Sequence, residues 1–484
     1  MKSIRFPLPL IAALAITLTV SAPALAQTFT TLANFNVENG ESPNGGSLVQ
    51  ATDGNFYGTA ASGGNNDSGV VFRITPSGDL TDIYSFCSQP PGCSDGAQPV
   101  AIFLGSDGNF YGTTYSGGLY AGASAGTVFK LTATGKLTTL YSFCEKLDCP
   151  DGDHPSGLVQ ARGGNLYGTT TNGGPSDYGV FFEINSAGEF QVLHSFCSAT
   201  NCADGAFPNL PVQGSDGDLY GTTVDGGDVG LGTVYKITTA GQFTTLHSFC
   251  TRAPNCADGA APSGALVQAS DGDFYGATSY GGAKGYGNVF KLNRAGELTT
   301  LHIFQDTDGA LPFFALIQAN DGNLYGTTLI GGAGNGGTMY KVTSAGEFTS
   351  LYSFCNTFSC VGIPPEVGII PEYALTQATS GLLFGGTDVG GTHNVGTIFS
   401  YSLGLGPLVK TLPIAAKVNE RVIILGNSLT GSTRITFNGT PATFTVESDT
   451  YITATVPAGA TTGTVQVTTP TGTLNSNPVF QVLQ

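Results

Sequence analysis

The chain contains no tryptophan and only two methionines among 484 residues, and its 17 lysines and arginines are outnumbered by 34 aspartates and glutamates. Nucleic acid and anionic membranes are held by clustered Lys and Arg, so this balance argues against both as partners. Charged residues make up only 11% of the chain, yet 40% hydrophobic content with 19 Tyr and 30 Phe can bury a core. A sustained 3.6-residue apolar period is missing, so helices are expected to be minor. Beyond residue 26 no stretch approaches 18 apolar residues, and no transmembrane segment is expected in the mature chain. The Gly-Gly pairs have no Lys after them at P-loop spacing, and no Ser or Cys nucleophile is patterned with a His. Phosphate-cradle and triad chemistry drop out on that ground.

What is present begins with an address. Lys2 and Arg5 precede an uncharged apolar run over residues 8–20, and Ala24-Leu25-Ala26 offers a small-x-small cleavage site. Residues 1–26 therefore read as a signal peptide, which makes the protein secreted: periplasmic, cell-surface or extracellular. No Cys follows the site directly, which argues against a lipoprotein. Cleavage removes Lys2 and Arg5 and no acid, moving the formal charge from −17 to −19. Export puts the ten cysteines in an oxidising compartment. They fall in five close pairs, Cys87/Cys93, Cys144/Cys149, Cys197/Cys202, Cys250/Cys256 and Cys355/Cys360. Local disulfides are expected; the zinc alternative needs four ligands converging, and each pair sits in a different repeat. A bridge over so short a loop stabilises by about 2 kcal/mol at most.

The repeat is the strongest signal. Tyr-Gly recurs at Tyr57, Tyr111, Tyr167, Tyr220, Tyr275 and Tyr325, with Phe384-Gly385 as a seventh copy. In every copy a Gly-Gly pair begins six residues after the aromatic, and a Gly-x-apolar-aromatic segment follows. Each copy reads as four short strands: an apolar strand, an Asp-Gly hairpin turn, the Tyr-Gly strand, the Gly-x-apolar-aromatic strand, and a Thr-, Leu- and aromatic-rich fourth strand. Four antiparallel strands in about 50 residues is the size of a propeller blade. The seventh copy stops after its third strand, while residues 28–35, TFTTLANF, match the missing fourth. The N-terminal strand is therefore expected to complete the last blade, closing the ring and hiding strand edges.

The unit DGNLYGTT…GG…GTMYKVT…GEFTSLYSF over residues 321–354 resembles the GloVer tandem repeat of extracytoplasmic bacterial proteins, whose C-terminal attachment modules vary. It is also similar to NHL-type propeller repeats. The resemblance covers residues 28 to about 402 and implies no catalytic residues. The segments VIILG (422–426), ITFNGTPATF (435–444), ITATVPAGATTGTVQV (452–467) and TPTG (469–472) resemble an IPT/TIG domain, which implies an immunoglobulin-like β-sandwich of structural or interaction-forming role. The expected organisation is all-β: a seven-bladed β-propeller over residues 27–402, a linker over 403–412 and the sandwich over 413–484.

With that strand order, Asp-Gly and Ala-Gly hairpins point to one face of the propeller. The Gly-Gly loops and Cys-bearing inter-blade loops point to the other, where function is expected, because function gathers on loops held by a rigid scaffold. A DGxxP element puts Asp95, Asp151, Asp204, Asp258 and Asp308 in those loops, with Asn39 in the matching place of the first. Five carboxylates around a channel can hold Ca²⁺ or a polar ligand; the alternative is that each simply bonds backbone N–H groups of its own turn. No metal or other cofactor is otherwise implied. His194, His247 and His302 share the fourth-strand slot that holds Tyr84, Tyr141 and Tyr352 in other copies, which reads as packing rather than as general bases. His154 and His393 are irregular. No catalytic residue stands out, since the acids repeat with the blade and an active site breaks symmetry.

The expected function is that of an extracytoplasmic non-enzymatic binding or scaffold protein for an extracellular ligand, glycan or protein. A secreted carbohydrate-active or lactone-cleaving enzyme using acids near the channel is the alternative from another class. A structural cell-surface component is the third.

Overall fold

The computed structural model describes residues 27–43, 46–90, 92–120, 125–251, 255–355 and 368–483. The expected signal peptide lies outside the described residues. Seven antiparallel sheets follow one another along the chain, each adding strands in sequence order from its first strand outward. In the second blade the strands are Ala97–Leu104, Phe110–Ser116, Thr127–Leu131 and Leu137–Ser142. Every blade reuses this order, and the fourth strand carries a β-bulge against the third, as between Val128 and Phe129. The only helical element among the described residues is a single 3-10 turn, Thr200–Cys202. None of them forms a helix long and apolar enough to cross a membrane.

The last blade is closed as the sequence implies. Thr28–Asn34 pairs antiparallel with Thr397–Ser402, so the chain's first described strand is the outermost strand of the seventh blade. Phe29 stacks on Tyr352 at 4.3 Å and on Phe399 at 5.0 Å, while Phe35 is fully buried.

The Tyr-Gly motif has a packing cause. The second strand of each blade is buried on both faces between neighbouring blades, so it needs small and apolar residues throughout. At Gly112 a Cβ would come within 2.6 Å of the Phe129 ring and 2.5 Å of the Ala101 carbonyl oxygen. The glycine makes room for the third-strand aromatic that crosses it. The preceding tyrosine is buried except for its hydroxyl, which in five blades donates to the hairpin aspartate four residues earlier, as from Tyr111 to Asp107 at 2.9 Å, Tyr220 to Asp216 at 2.7 Å and Tyr325 to Asp321 at 2.8 Å. In the third blade Gly163 takes that place and Tyr167 donates to Glu183 at 3.2 Å.

Neighbouring blades are stitched by a second repeated device. Before each inter-blade proline, one backbone N–H crosses to the preceding blade, as from His154 to the Ala125 carbonyl at 2.8 Å and from Ile370 to that of Gly336 at 3.0 Å. The proline ring then lies against the next glycine of that blade. At Gly179, with φ of +89°, a Cβ would stand 2.2 Å from the Thr170 carbonyl oxygen and 2.8 Å from Pro208 Cδ. The seventh stitch joins Ser42 and Pro43 to Val395 and Gly396, completing the circle.

The sandwich has two main sheets around a core that includes Val422, Ile424, Ile435, Phe437, Ile452 and Val467. Its first strand, Lys410–Leu412, pairs with Arg421–Leu425. Three residues expected as linker thus belong to the sandwich, because their alternation buries Val409 and Thr411 on the sandwich side. Ahead of that second strand, Ala415–Lys417 pairs parallel with Gln481–Leu483. The domain does not hang free. It docks on the hairpin face: Thr450 Oγ1 donates to the Thr52 carbonyl at 2.5 Å, Asn477 Nδ2 to that of Gln318 at 3.0 Å, and Arg162 donates to Gln481. The opposite face is left uncovered by it.

Candidate functional site on the cystine-loop face

The five aspartates of the inter-blade loops are not brought together. Each turns back into its own loop. Asp95 Oδ2 accepts from the Ser88 N–H at 2.9 Å and the Tyr84 hydroxyl at 2.7 Å. Asp151 accepts from the Cys144 N–H at 3.1 Å and the Tyr141 hydroxyl at 2.8 Å. Asp204 accepts from the Ser198 and Ala199 N–H groups, Asp258 from Thr251 Oγ1, and Asp308 from the Gln305 N–H at 2.8 Å. In the first loop Asn36 and Asn39 cap each other's N–H groups at 2.8 Å. Among the described residues no three His, Cys, Asp or Glu side chains gather as a metal site would require. The geometry is that of loop capping, which uses the carboxylates locally.

The fourth-strand slot supplies the other half of each cap. His194 stacks on Phe243 at 3.9 Å, with Nε2 3.2 Å from Asp204 Oδ2. His302 stacks on Phe348 at 3.6 Å and bonds Asp308 at 3.0 Å. His247 Nε2 lies 3.3 Å from Asp258 Oδ2. Tyr141 does the same work in its blade, stacking on Phe190 at 4.0 Å. Burial holds the His194 and His302 imidazoles below the ordinary histidine pKa, outweighing the opposing pull of the nearby aspartate. Four of the expected disulfides close these loops: Cys87–Cys93, Cys144–Cys149, Cys197–Cys202 and Cys250–Cys256. The fifth expected pair includes Cys360, which lies outside the described residues.

On this capped and cross-linked frame sits a ring that sequence reasoning missed. The residue before each inter-blade proline has a positive φ, between +50° and +58°, at Ser42, Gln98, His154, Phe207, Ala261, Leu311 and Ile370. A non-glycine residue there is strained, most of all β-branched Ile370. The seven backbones are alike, yet all seven side chains differ. The signal in the sequence was the pairing of an invariant proline with a variable neighbour.

Three sectors of this face break the seven-fold symmetry. His154 stacks on Tyr115 of the preceding blade at 4.2 Å, and its Nδ1 lies 3.1 Å from Asp153 Oδ1 and 3.3 Å from Asn172 Nδ2. Tyr280 and Phe313 stand 55% and 42% exposed, far above the buried aromatics of the blades. In the seventh blade Glu372 follows Pro371, and burial together with the charge of Asp388 pushes its carboxyl up to about 7. Glu372 and Asp388 were legible only as departures: other copies place neutral residues at both positions.

The comparisons agree with this architecture. The Gloeobacter/Verrucomicrobia repeat matches twice, over residues 18–211 and 196–399, and the IPT/TIG domain matches residues 410–482. No curated protein matches. Among solved structures, a streptogramin B lyase aligns over 79% of this chain and 99% of its own, at 15% identity and a TM-score of 0.52. The extracellular domain of a hybrid two-component system from B. thetaiotaomicron aligns over 94% of this chain and 53% of its own, at 12% identity and a TM-score of 0.49. A gluconolactonase from Xanthomonas campestris aligns over 61% of this chain and 82% of its own, at 12% identity and a TM-score of 0.37. At 15% identity the likeness to the lyase speaks to the fold alone. The chain belongs to the Gloeobacter/Verrucomicrobia repeat family, as a seven-bladed β-propeller followed by an IPT/TIG domain.

Proposed function

We propose that this is an extracytoplasmic, non-enzymatic binding protein that takes its ligand or partner on the cystine-loop face. The observation that carries the reading is the ring of seven strained pre-proline residues. A constant backbone holds seven different side chains, and strain of this kind persists where surrounding structure over-determines it, often for function. The disulfides support an oxidising location. Docking of the sandwich on the hairpin face supports the assignment of faces, since it leaves the cystine loops open. Five capping aspartates then serve the frame rather than the ligand.

The test is an array of glycans and peptides probed with the mature protein and with Gln98→Ala, His154→Ala and Phe207→Ala. A ligand whose binding falls in these variants, while a hairpin-face variant such as Asp107→Asn retains it, is expected. A ligand indifferent to all three variants overturns the assignment.

One observation favours the enzymatic alternative. A half-buried carboxyl near 7 beside a second acid can serve as a general acid. Turnover of a lactone or glycoside panel, abolished by Glu372→Gln, would establish that reading in place of ours.

A further inference from the structure

The first strand of six blades ends in glutamine: Gln50, Gln160, Gln213, Gln268, Gln318 and Gln377. Each side chain spans a blade junction, its Oε1 accepting an N–H from the hairpin of the preceding blade. Ser106 donates to Gln160 at 2.9 Å, Ser215 to Gln268 at 2.7 Å, and Thr379 to Gln50 at 2.9 Å, the last across the ring closure. The result is a polar girdle around the hairpin-face mouth of the propeller. The second blade alone departs from it. Leu104 stands in the glutamine slot, and Phe103 stands where the others have Val, Ile or Thr. The girdle is therefore open between the first and second blades.

The sandwich sits over that opening. Thr450 reaches Thr52, the first-blade residue equivalent to Ser106, and Leu412 packs against the cluster containing Leu104. Beside this contact the two domains line a half-open cleft of about 980 Å³. Its apolar wall includes Phe103, Leu104 and Leu158 from the propeller and Leu412, Ile423 and Tyr451 from the sandwich. Its lining also carries charge of both signs, Arg162, Lys417 and Arg421 with Asp107, Glu420 and Glu447. A cleft of this size, at a domain junction, with apolar walls among polar and charged groups, has the features of a small-molecule site.

We propose that this cavity binds an uncharged, predominantly apolar small molecule, separately from the cystine-loop face. Three acids and three bases around it give neither an anion nor a cation a net advantage, and its volume sets a small-molecule scale. The departure of copy two supports a dedicated site. Leu104 gives the wall beside Gln160 and Gln213 an apolar side chain where the other copies place a polar amide, and an apolar ligand packs better against the leucine.

The test uses the mature full-length protein and the neutral probe N-phenyl-1-naphthylamine, titrated by fluorescence. Saturable binding to one site is expected. It should weaken by about tenfold in Leu104→Gln, which restores the residue of the other copies, and in Ile423→Glu, which places a charge on the sandwich wall. Circular dichroism confirms folding of each variant, and His154→Ala, on the opposite face, should bind as wild type does. Absence of saturable binding, equal binding in both cavity variants, or equal loss in His154→Ala would each overturn the proposal. An adventitious hydrophobic surface falls under the second of these results. Loss of glycan or peptide binding in the His154 variant leaves it standing, so the two sites fail separately.

Discussion

Replacing His194 and His302 together by tyrosine should make the propeller more resistant to mild acid. Both imidazoles are buried against a phenylalanine, and folding lowers both pKa values. A histidine with a depressed pKa contributes stability that is fully present above its unfolded value. That contribution is lost as pH falls from the unfolded towards the folded value, because the unfolded chain then takes up protons the native state refuses. Each unit of depression is worth about 1.4 kcal/mol. Tyrosine fills this slot in other blades with the same stacking, as Tyr141 does on Phe190 at an interplanar angle of 8°. Its hydroxyl donates to the capping aspartate whatever the pH in this range. Asp82, raised to about 6, and Glu372, raised to about 7, act with the opposite sign, stabilising the fold as pH falls. Both remain in the variant, so they cancel in the difference. The assay is urea unfolding followed by circular dichroism, between about pH 7.5 and about pH 5, a range that brackets the unfolded histidine value. The gap between variant and wild type should widen on the acid side by about 1.4 kcal/mol per unit of depression at each site. Curves that run parallel across the range would refute the account of these histidines as neutral packing groups.

Phe35→Ala removes a fully buried ring beside the closing strand and should cost about 3–5 kcal/mol, read from denaturant midpoints. Deleting residues 28–34 should do worse, since it exposes Thr397–Ser402 as a free edge; size-exclusion chromatography should then show aggregation. Gly179→Ala, with backbone 2.2 Å from the new Cβ, should lower stability by at least about 2 kcal/mol, whereas Gly108→Ala, with open space around it, should cost less. Ile370→Gly should raise stability by about 1 kcal/mol by relieving a β-branched residue at positive φ, measurable as a higher melting temperature. Reducing the cystines should lower stability by about 2 kcal/mol per loop at most, because each closes only a handful of residues.

What the sequence makes legible is what repeats. Seven Tyr-Gly and Gly-Gly pairs at fixed offset imply the blades, and the match of residues 28–35 to a missing fourth strand implies the closure seen against Thr397–Ser402. The Asp-Gly hairpins are legible for the same reason. The role of the loop aspartates was open between two readings, since Asp-Gly alone cannot say whether a carboxylate faces its own turn or a shared channel. The partner that distinguishes them, Tyr84 for Asp95 or His302 for Asp308, lies on another element. The pre-proline ring was hidden because X-Pro normally reads as extended, and the positive φ accompanies a hydrogen bond to the neighbouring blade that has no sequence signature. Docking of the sandwich was hidden too. Thr450 and Asn477 look like ordinary turn residues until the hairpins of other blades come beneath them.

Symmetry itself separates fold from specificity in such a molecule. A residue present in every copy has a job in every copy, and here those jobs are found: glycines admit a crossing ring and prolines seat on glycines, while aspartates cap the five loops that carry them. Departures from the repeat are of two kinds. Some preserve the local physics, as when histidine replaces tyrosine but keeps the stack and the contact with aspartate. Others abandon it. Leu104 gives up a bridge between blades, and Glu372 introduces a carboxyl that burial resists ionising. The frame tolerates the first kind because its contacts are kept. The second kind forgoes a stabilising contact or takes on a cost of burial, so it is where a repeated scaffold of this sort should be searched for what it binds.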